Sequence, residues 1–244
     1  MKYIIIIVLC ALSLVSTGQV KSGEIIYSVH EYDFSEKGAG SKDIGYKEFK
    51  NDLYDIALNL KFRLSFNQTQ SSFAIVKELP VDFEDFKTRM AVLLLRGKSI
   101  FFTDIDKKYL LEQKEIMNEP FIIKANFDEL DWELTKESKK ISDFSCYKAV
   151  GRRAFRDKNG NTKEAKLIAW YCPEIPYGFG PFEAVSLPGM VLEFKSGQFV
   201  FTASKIDFNK SETEIVKPSK GKLLSQKELD KIINDKVSKE IRKG

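Results

Sequence analysis

Apolar and polar residues alternate along much of the chain. The clearest alternation covers residues 58–66, where every second position is Leu or Phe and each position between them is polar. Because successive side chains of a strand point to opposite faces of a sheet, this pattern predicts a half-buried strand. Similar runs predict further strands at 24–30, 71–77, 99–103, 109–114, 121–127, 132–136, 147–155, 166–172, 190–194 and 199–208. Short strands separated by turn-like clusters are typical of an antiparallel meander.

One internal segment follows a helical period instead. In residues 81–95 the apolar positions recur three or four residues apart, as at Phe86 and Met90, which predicts a helix that starts from Asp82. Residues 92–95 would also suit a strand.

Residues 225–242 predict an amphipathic C-terminal helix. Ser225 and Glu228 have the spacing of a capping box, in which the two side chains satisfy backbone N–H groups of the first turn. The apolar residues that follow form one stripe: Leu229, Ile232, Ile233, Val237 and Ile241. We expect this stripe to cover part of the sheet. The alternative is binding to a membrane surface or a partner through the lysine-rich polar side.

These elements favour a mainly β fold: a strongly curved antiparallel sheet, as a half-barrel or open sandwich, with an amphipathic C-terminal helix. The chain contains 19 phenylalanines, which favour a sizeable apolar interior. We expect aromatic side chains to line the concave face of the sheet. Such a face can stay partly open to a lipid-like or other hydrophobic ligand.

Residues 1–18 have the pattern of a cleaved signal peptide. Lys2 is followed by an apolar run, 4–12, and then by small and polar residues. The run is shorter than the roughly 20 residues that span a bilayer, so a retained membrane anchor is disfavoured. We predict cleavage before Gln19 and a single β-rich domain over 19–244, exported to the periplasm, the outer membrane or the cell exterior.

The charge balance argues against nucleic-acid binding, and the hydropathy argues against a membrane-spanning segment after the signal peptide. The 39 basic and 35 acidic residues nearly balance, which argues against a dedicated nucleic-acid surface. No segment after the signal peptide is apolar enough and long enough to cross a bilayer, so we expect no transmembrane segment once the signal is removed.

The cysteines suggest a cross-link. Removal of the signal peptide would also remove Cys10, which leaves Cys146 and Cys172 in an oxidising compartment. A disulfide between them is the first hypothesis, and two separate buried thiols are the alternative. Closing a loop of this size would stabilise the fold by roughly 3 kcal/mol on the chain-entropy model. A zinc site is disfavoured, because His30 is the only histidine.

Recognisable catalytic machinery is missing from the sequence. The chain has no GxSxG, HExxH or P-loop pattern. Any Ser-His-Asp site would depend on His30, whose position in an alternating strand predicts a side chain on the face of a sheet. Neighbouring carboxylates such as those in 82–85 and 128–131 are typical of solvated turns. We therefore predict a protein that is not an enzyme, with no catalytic residue, cofactor or metal.

An ordered series of short motifs lies between Trp132 and Phe194. In chain order it comprises Trp132, CYKA with Lys148 and Ala149, AWY with Trp170, Glu174-Ile175-Pro176, Gly180-Pro181 and Leu187-Pro188-Gly189. This series resembles the GLPGLI family, secreted proteins of Bacteroidetes-type bacteria, whose naming motif appears here as SLPGMV. Ser186 stands where the family has its first glycine, and Met190 and Val191 are mild replacements for packing. The resemblance implies export and a β-rich fold, and it implies no activity, since none is established for the family.

The same motifs predict a rigid corner. Pro188-Gly189 suits a type II turn, since proline presets φ at the second position and glycine supplies a positive φ at the third. Gly178 and Gly180 predict a close approach of the backbone. The favoured role is a corner that buries neighbouring aromatic residues. The alternative is a small pocket for an anion or other ligand, lined by Trp170, Tyr177, Gly178 and Gly180.

The function favoured by the sequence is non-enzymatic: an exported envelope protein that binds a hydrophobic or lipid-like ligand in a concave sheet. The alternative is an accessory or structural subunit of an outer-membrane transport or secretion complex, partnered by an outer-membrane protein. That alternative predicts a filled core and an exposed apolar or charged patch. A third hypothesis, an enzyme of unrecognised type, predicts polar residues with shifted pKa values in a cleft.

Overall fold

A computed structural model describes residues 22–31, 44–78, 80–129, 131–156, 161–208 and 213–241. These residues form three α-helices, α1 (Ile44–Asn59), α2 (Phe86–Leu94) and α3 (Gln226–Ile241), and a 3₁₀ turn, Phe127–Glu129. The strands are β1 (Ser22–Glu31), β2 (Lys61–Asn67), β3 (Gln70–Ile75), β4 (Ile100–Asp104), β5 (Tyr109–Ile116), β6 (Glu119–Asn126), β7 (Trp132–Ile141), β8 (Phe144–Arg156), β9 (Thr162–Cys172), β10 (Met190–Ser196), β11 (Phe199–Phe208) and β12 (Lys222–Ser225). The predicted signal peptide and its cleavage point lie outside the described residues.

All the described strands belong to one 12-stranded sheet in the order β12-β6-β5-β4-β3-β2-β1-β11-β10-β9-β8-β7. The mainly β fold is therefore confirmed. The sheet is open, with β12 and β7 at its edges. Neighbouring strands are antiparallel except β12 and β6, which run parallel, so the sheet is mixed rather than wholly antiparallel.

The alternation predicted around residues 58–66 is present in β2. Phe62, Leu64 and Phe66 are fully buried on one face of that strand. The predicted start of the strand was wrong, because Leu58 belongs to the last turn of α1. This helix was missed by the sequence prediction; it packs against α2 and β1 and buries Tyr54 in the core.

Both predicted helices are confirmed, with one boundary shifted. Helix α2 begins at Phe86 rather than at Asp82, because the side chain of Asp85 accepts the N–H of Thr88 at 2.9 Å and caps the first turn. At the start of α3, the backbone N–H of Ser225 donates to Glu228 at 2.8 Å and Ser225 Oγ accepts the N–H of Glu228 at 3.3 Å. These two bonds are the capping box that the sequence predicts.

The concave face of the sheet is filled by the chain itself. The segment between β9 and β10, residues 173–189, lies over this face, and we call it the core loop. Its residue Phe182 is almost fully buried and contacts five other rings of the core. Those rings belong to Phe62, Phe73, Phe101, Phe194 and Phe201, which come from five different strands.

Two C-terminal segments cover other parts of the sheet. The chain from residue 213 to β12 crosses the outer face, where the N–H of Val216 donates to Ser72 Oγ at 3.1 Å and the ammonium of Lys217 lies over the ring of Phe102. Leu229 of α3 is buried against Phe121 and its neighbours on β6 and β12. Leu229, Ile232 and Ile233 of the predicted stripe therefore cover one end of the sheet, as expected, whereas the side chains of Val237 and Ile241 lie outside the described part of the chain.

Candidate functional site

The core loop is built from tight turns. Four backbone N–H groups donate to the carbonyl two residues earlier: Tyr177 to Ile175, Phe179 to Tyr177, Val185 to Glu183 and Gly189 to Leu187, at 2.8–2.9 Å. Bonds of this kind close γ-turns. The predicted type II turn at Pro188-Gly189 is thus replaced by a γ-turn around Pro188, and the N–H of Met190 donates to Ile175 instead.

Gly189 is required by a close backbone contact. A Cβ atom at this position would lie 2.1 Å from the carbonyl oxygen of Cys172. Its φ of 158° is also one that L side chains rarely adopt, and it differs from the value of about 80° that a type II turn requires. The Leu187-Pro188-Gly189 motif therefore packs its backbone directly on the end of β9.

The residues of the predicted ligand pocket lie on both faces of the sheet. A Cβ on Gly178 would meet the carbonyl oxygen of Leu187 at 2.8 Å, and one on Gly180 would meet that of Ala184 at 2.5 Å. Tyr177 is buried with its ring stacked on that of Phe179.

Trp170 alternates with the buried Ala169 and Tyr171 on β9, so it faces the outer side of the sheet. There the ammonium of Lys139 lies 4.4 Å from its ring centroid. Tyr177, in contrast, packs against Phe66 of the core. The alternation of strand faces therefore separates Trp170 from the other three residues, and the pocket stays a prediction.

The other motif residues contribute structural contacts. Glu174 accepts the N–H of Ser145 at 2.9 Å, and Lys148 forms an ion pair with Glu137. The indole of Trp132 lies against the Cα of Gly151, where a Cβ would come within 2.9 Å of the ring. Four further motif residues are buried, Ala149, Ile175, Pro181 and Leu187, whereas Pro176 and Pro188 are exposed.

The most unusual polar feature is a chain of ion pairs across the concave side. Arg96 Nη1 donates to Glu183 Oε2 at 2.7 Å, and Arg96 Nη2 donates to Glu112 Oε1 at 3.2 Å. Arg153 donates to the second oxygen of Glu183. Lys114 donates to Glu112 at 3.0 Å. We call these five residues the ionic bridge.

The ionic bridge shows how strongly the sheet curves. Arg153 lies on β8 and Glu112 lies on β5, and seven strands separate these two in the sheet. Both contact the same Arg96–Glu183 pair, so the two sides of the sheet approach each other there. The guanidinium of Arg96 also stacks over the rings of Phe101 and Phe182, at 4.8 and 5.1 Å from their centroids.

Both carboxylates of the bridge are held in the ionised form. Burial by itself would raise the pKa of Glu183, but Arg96 and Arg153 outweigh it and lower that pKa below its ordinary value. The pKa of Glu112 is lowered in the same way, against the effect of burial, by Arg96 and Lys114. Neither group can therefore act as a general acid at neutral pH, and the arrangement serves to pair charges.

The sequence alone does not predict this bridge. Its residues occur singly in segments that are far apart along the chain, and no spacing rule connects them. The only local signal is the charge of Glu183 within an otherwise apolar stretch, FGPFEAV.

Cys146 and Cys172 are free thiols in the structure, and both are fully buried. The predicted disulfide is not found, and it stays a prediction. The thiol of Cys146 donates to the carbonyl oxygen of Phe144 at 3.8 Å.

Helix α2 exposes large apolar side chains. Phe86, Met90, Leu93 and Leu94 are 58, 37, 53 and 44% exposed. With about 100° between successive residues, these four share one side of the helix, while Thr88, Ala91 and Val92 face the core. We call Phe86, Met90, Leu93 and Leu94 the α2 patch. The ring of Phe49 on α1 stacks on Phe86.

Other candidate chemistry is sparse in the described part of the chain. His30 is exposed on β1, as expected for a residue on the face of a sheet. Among the described residues, no group of three or more His, Cys, Asp and Glu side chains is placed to hold a metal ion. No helix among them is both long and apolar enough to cross a membrane.

A comparison with protein families finds a match in the region of the motif series. Residues 132–193 match a family model described as "Protein of unknown function (Porph_ging)". This is a Bacteroidetes-associated family, and the matched range is nearly the one that carries the motif series. The GLPGLI family name itself stays a resemblance. No curated protein matches the chain.

Two solved structures are similar over most of this chain. They are structures of PNGF-II in space groups C2 and P21, each with 14% sequence identity, a TM-score of 0.48 and 87% coverage of this chain. The chain spans about a third of their length, 32 and 33%. At this similarity they carry no argument about function.

Proposed function

We propose that this protein is exported and acts, without catalysis of its own, as an accessory or structural subunit of a bacterial envelope complex. The observation that carries the proposal is the filling of the concave face by Phe182 while the α2 patch stays exposed. A filled core together with an exposed apolar patch is the pattern expected of a subunit that works through its surface. The signal-like N-terminal pattern and the resemblance to a secreted family support export.

The core loop argues against an interior ligand site. Phe182 touches rings from five strands. The next residue, Glu183, fixes the loop through its two ion pairs in the ionic bridge. A hydrophobic molecule could use the concave face only if the loop moved away, which would break buried ion pairs and leave charges without partners.

The α2 patch has the composition of a protein contact surface. Phe and Met are enriched in the centres of protein interfaces, and here Phe86 and Met90 lie side by side with two leucines. The charged residues Lys87 and Arg89 lie on the two sides of this apolar strip, consistent with the polar rim of an interface. We expect the partner to be an envelope protein that presents an apolar surface of similar width.

A second candidate function is the binding of a hydrophobic or lipid-like ligand. The observation that favours it is the large number of aromatic rings on the concave face. Native mass spectrometry and lipid extraction of protein purified from its own host separate the two candidates. A mass equal to that of the polypeptide supports the accessory role, whereas a stoichiometric lipid would establish the carrier role and overturn our proposal.

Site-specific cross-linking tests the contact surface. A photo-reactive residue in place of Leu93 should cross-link to one defined envelope protein in the host, and purification of that protein should recover this chain. The matched control is Leu223 on β12, which is 59% exposed outside the α2 patch. Equal cross-linking from the two positions, or none from Leu93, would count against the patch as the contact.

A further inference from the structure

Cys146 and Cys172 lie opposite each other on adjacent strands. Residue pairs along β8 and β9 include Ala149 with Ala169 and Tyr147 with Tyr171. One step further along the same antiparallel register places Cys146 against Cys172. Both side chains are fully buried, so the pair is enclosed by the protein.

The two thiols differ in character in the folded protein. A hydrogen bond with the Cys146 thiol is the main cause that lowers the pKa of Cys172 to about 7, and backbone N–H groups of Ile175 and Glu174 add to the effect. The same contact, together with burial, raises the pKa of Cys146. In the folded protein, Cys172 is therefore the group that more readily forms a thiolate.

The pair lies at the base of the core loop. Cys172 is the last residue of β9, and Met190, the first residue of β10, is its register partner on the other side. Gly189 packs against the carbonyl of Cys172, and the N–H of Met190 donates to the carbonyl of Ile175. A bond from Cys172 to β8 would therefore fix both ends of the loop to the sheet.

We propose that Cys146 and Cys172 are an oxidisable pair whose disulfide locks the core loop over the concave face. The thiolate of one of the two cysteines attacks a disulfide oxidant, forms a mixed disulfide and releases one thiol. The thiolate of the other cysteine then attacks the cysteine sulfur of the mixed disulfide and releases the second thiol. Two cysteine thiols are oxidised, the disulfide oxidant is reduced to two thiols, and the two cysteine protons end on those released thiols.

Burial places this reaction in the folding stage. During folding the thiols are still accessible to the oxidant, whereas in the folded protein the disulfide is shielded from reductant. The proposal is independent of the accessory role, since it requires only the contact between the two strands and an oxidant.

The test uses the unmodified chain 19–244, refolded once with reduced glutathione and once with a mixture of oxidised and reduced glutathione. Intact mass should show the loss of two hydrogen atoms in the second preparation, and alkylating reagent should label neither cysteine until reductant is added under denaturing conditions. Hydrogen exchange of residues 173–189 should be slower in the oxidised protein by at least about tenfold.

The control is the Cys146→Ser, Cys172→Ser variant, which should exchange equally in the two preparations. An unchanged mass after oxidative refolding, or a disulfide between two chains, would overturn the pairing. A disulfide that forms within the chain but leaves the exchange of residues 173–189 unaltered would overturn the lock.

Discussion

Arg96 and Glu183 form the central ion pair of the concave side. They lie 87 positions apart in the chain, and the guanidinium Nη1 donates to the carboxylate Oε2 at 2.7 Å. Arg153 takes the second oxygen of Glu183 from the opposite side of the sheet. The residue before Glu183 is Phe182, so the charged and the aromatic contacts of the core loop are made by adjacent residues. The loop is thus held by two kinds of interaction at one point.

Substitution of Glu183 should strongly destabilise the protein. Glu183→Gln removes the negative charge between two partly buried guanidinium groups, which leaves Arg153 without its partner in the ionic bridge and Arg96 with Glu112 alone. We expect the free energy of unfolding to fall by about 3–5 kcal/mol, measured by urea denaturation at pH 7.

The matched control is Glu119→Gln. Glu119 also pairs with a cation, Lys236, but it lies on the surface, where ion pairs contribute about 1 kcal/mol or less. If the two variants lost the same stability, the ionic bridge would not be a principal contact of the fold.

Acid should lower the free energy of unfolding, because it protonates the same carboxylates. Glu183 and Glu112 have pKa values below their ordinary value of 4.5, so the unfolded state binds protons more readily than the folded state. Their contribution to the free energy of unfolding is fully present above pH 4.5. It is lost as the pH falls through their lower pKa in the folded state. Urea denaturation between pH 7 and pH 3 should show this decline.

The same pH series on Glu183→Gln identifies the groups responsible. Because glutamine does not titrate, the variant should lose less stability between pH 5 and pH 3 than the unmodified chain does. An equally steep decline in both proteins would assign the acid sensitivity to other carboxylates.

Phe182 should be one of the most sensitive core positions. Phe182→Ala would leave a cavity among five rings, and such substitutions cost about 3–5 kcal/mol. Phe86→Ala, on the exposed α2 patch, should cost less than about 1 kcal/mol. Thermal unfolding of the two variants compares them directly, and similar losses would show that the core loop does not fill the concave face.

Gly189 should not tolerate a side chain. In Gly189→Ala the new Cβ would overlap the carbonyl oxygen of Cys172, so the loop or the end of β9 has to move, at a cost of at least about 2 kcal/mol. Gly197 is the control position, because a Cβ there would meet no atom within 4 Å. Its φ of 62° means that a side chain there would cause backbone strain only. Gly197→Ala should cost only about 1 kcal/mol of backbone strain. Equal stability of the two variants would contradict the contact with Cys172.

The strand faces and the C-terminal helix could be read from the sequence, because each depends on a local period. Phe62, Leu64 and Phe66 occupy every second position of β2, and the capping box at Ser225 marks the start of α3. Helix α1 was missed because the alternation around residue 58 was extended into its last turn. Strand β12 was missed because four residues are too short to show a period.

The ionic bridge and the filling of the concave face were decided by the tertiary structure alone. Arg96, Glu112, Arg153 and Glu183 have no common spacing, and each would be a normal surface charge if its segment stood alone. Only the curvature of the whole sheet brings β5 and β8 close enough for these charges to pair. The alternation of apolar and polar residues predicts which side chains share a face of each strand. Whether that apolar face is open or filled depends on where the core loop packs. The loop contacts strands that are far apart in the sequence, and these come together only in the assembled sheet.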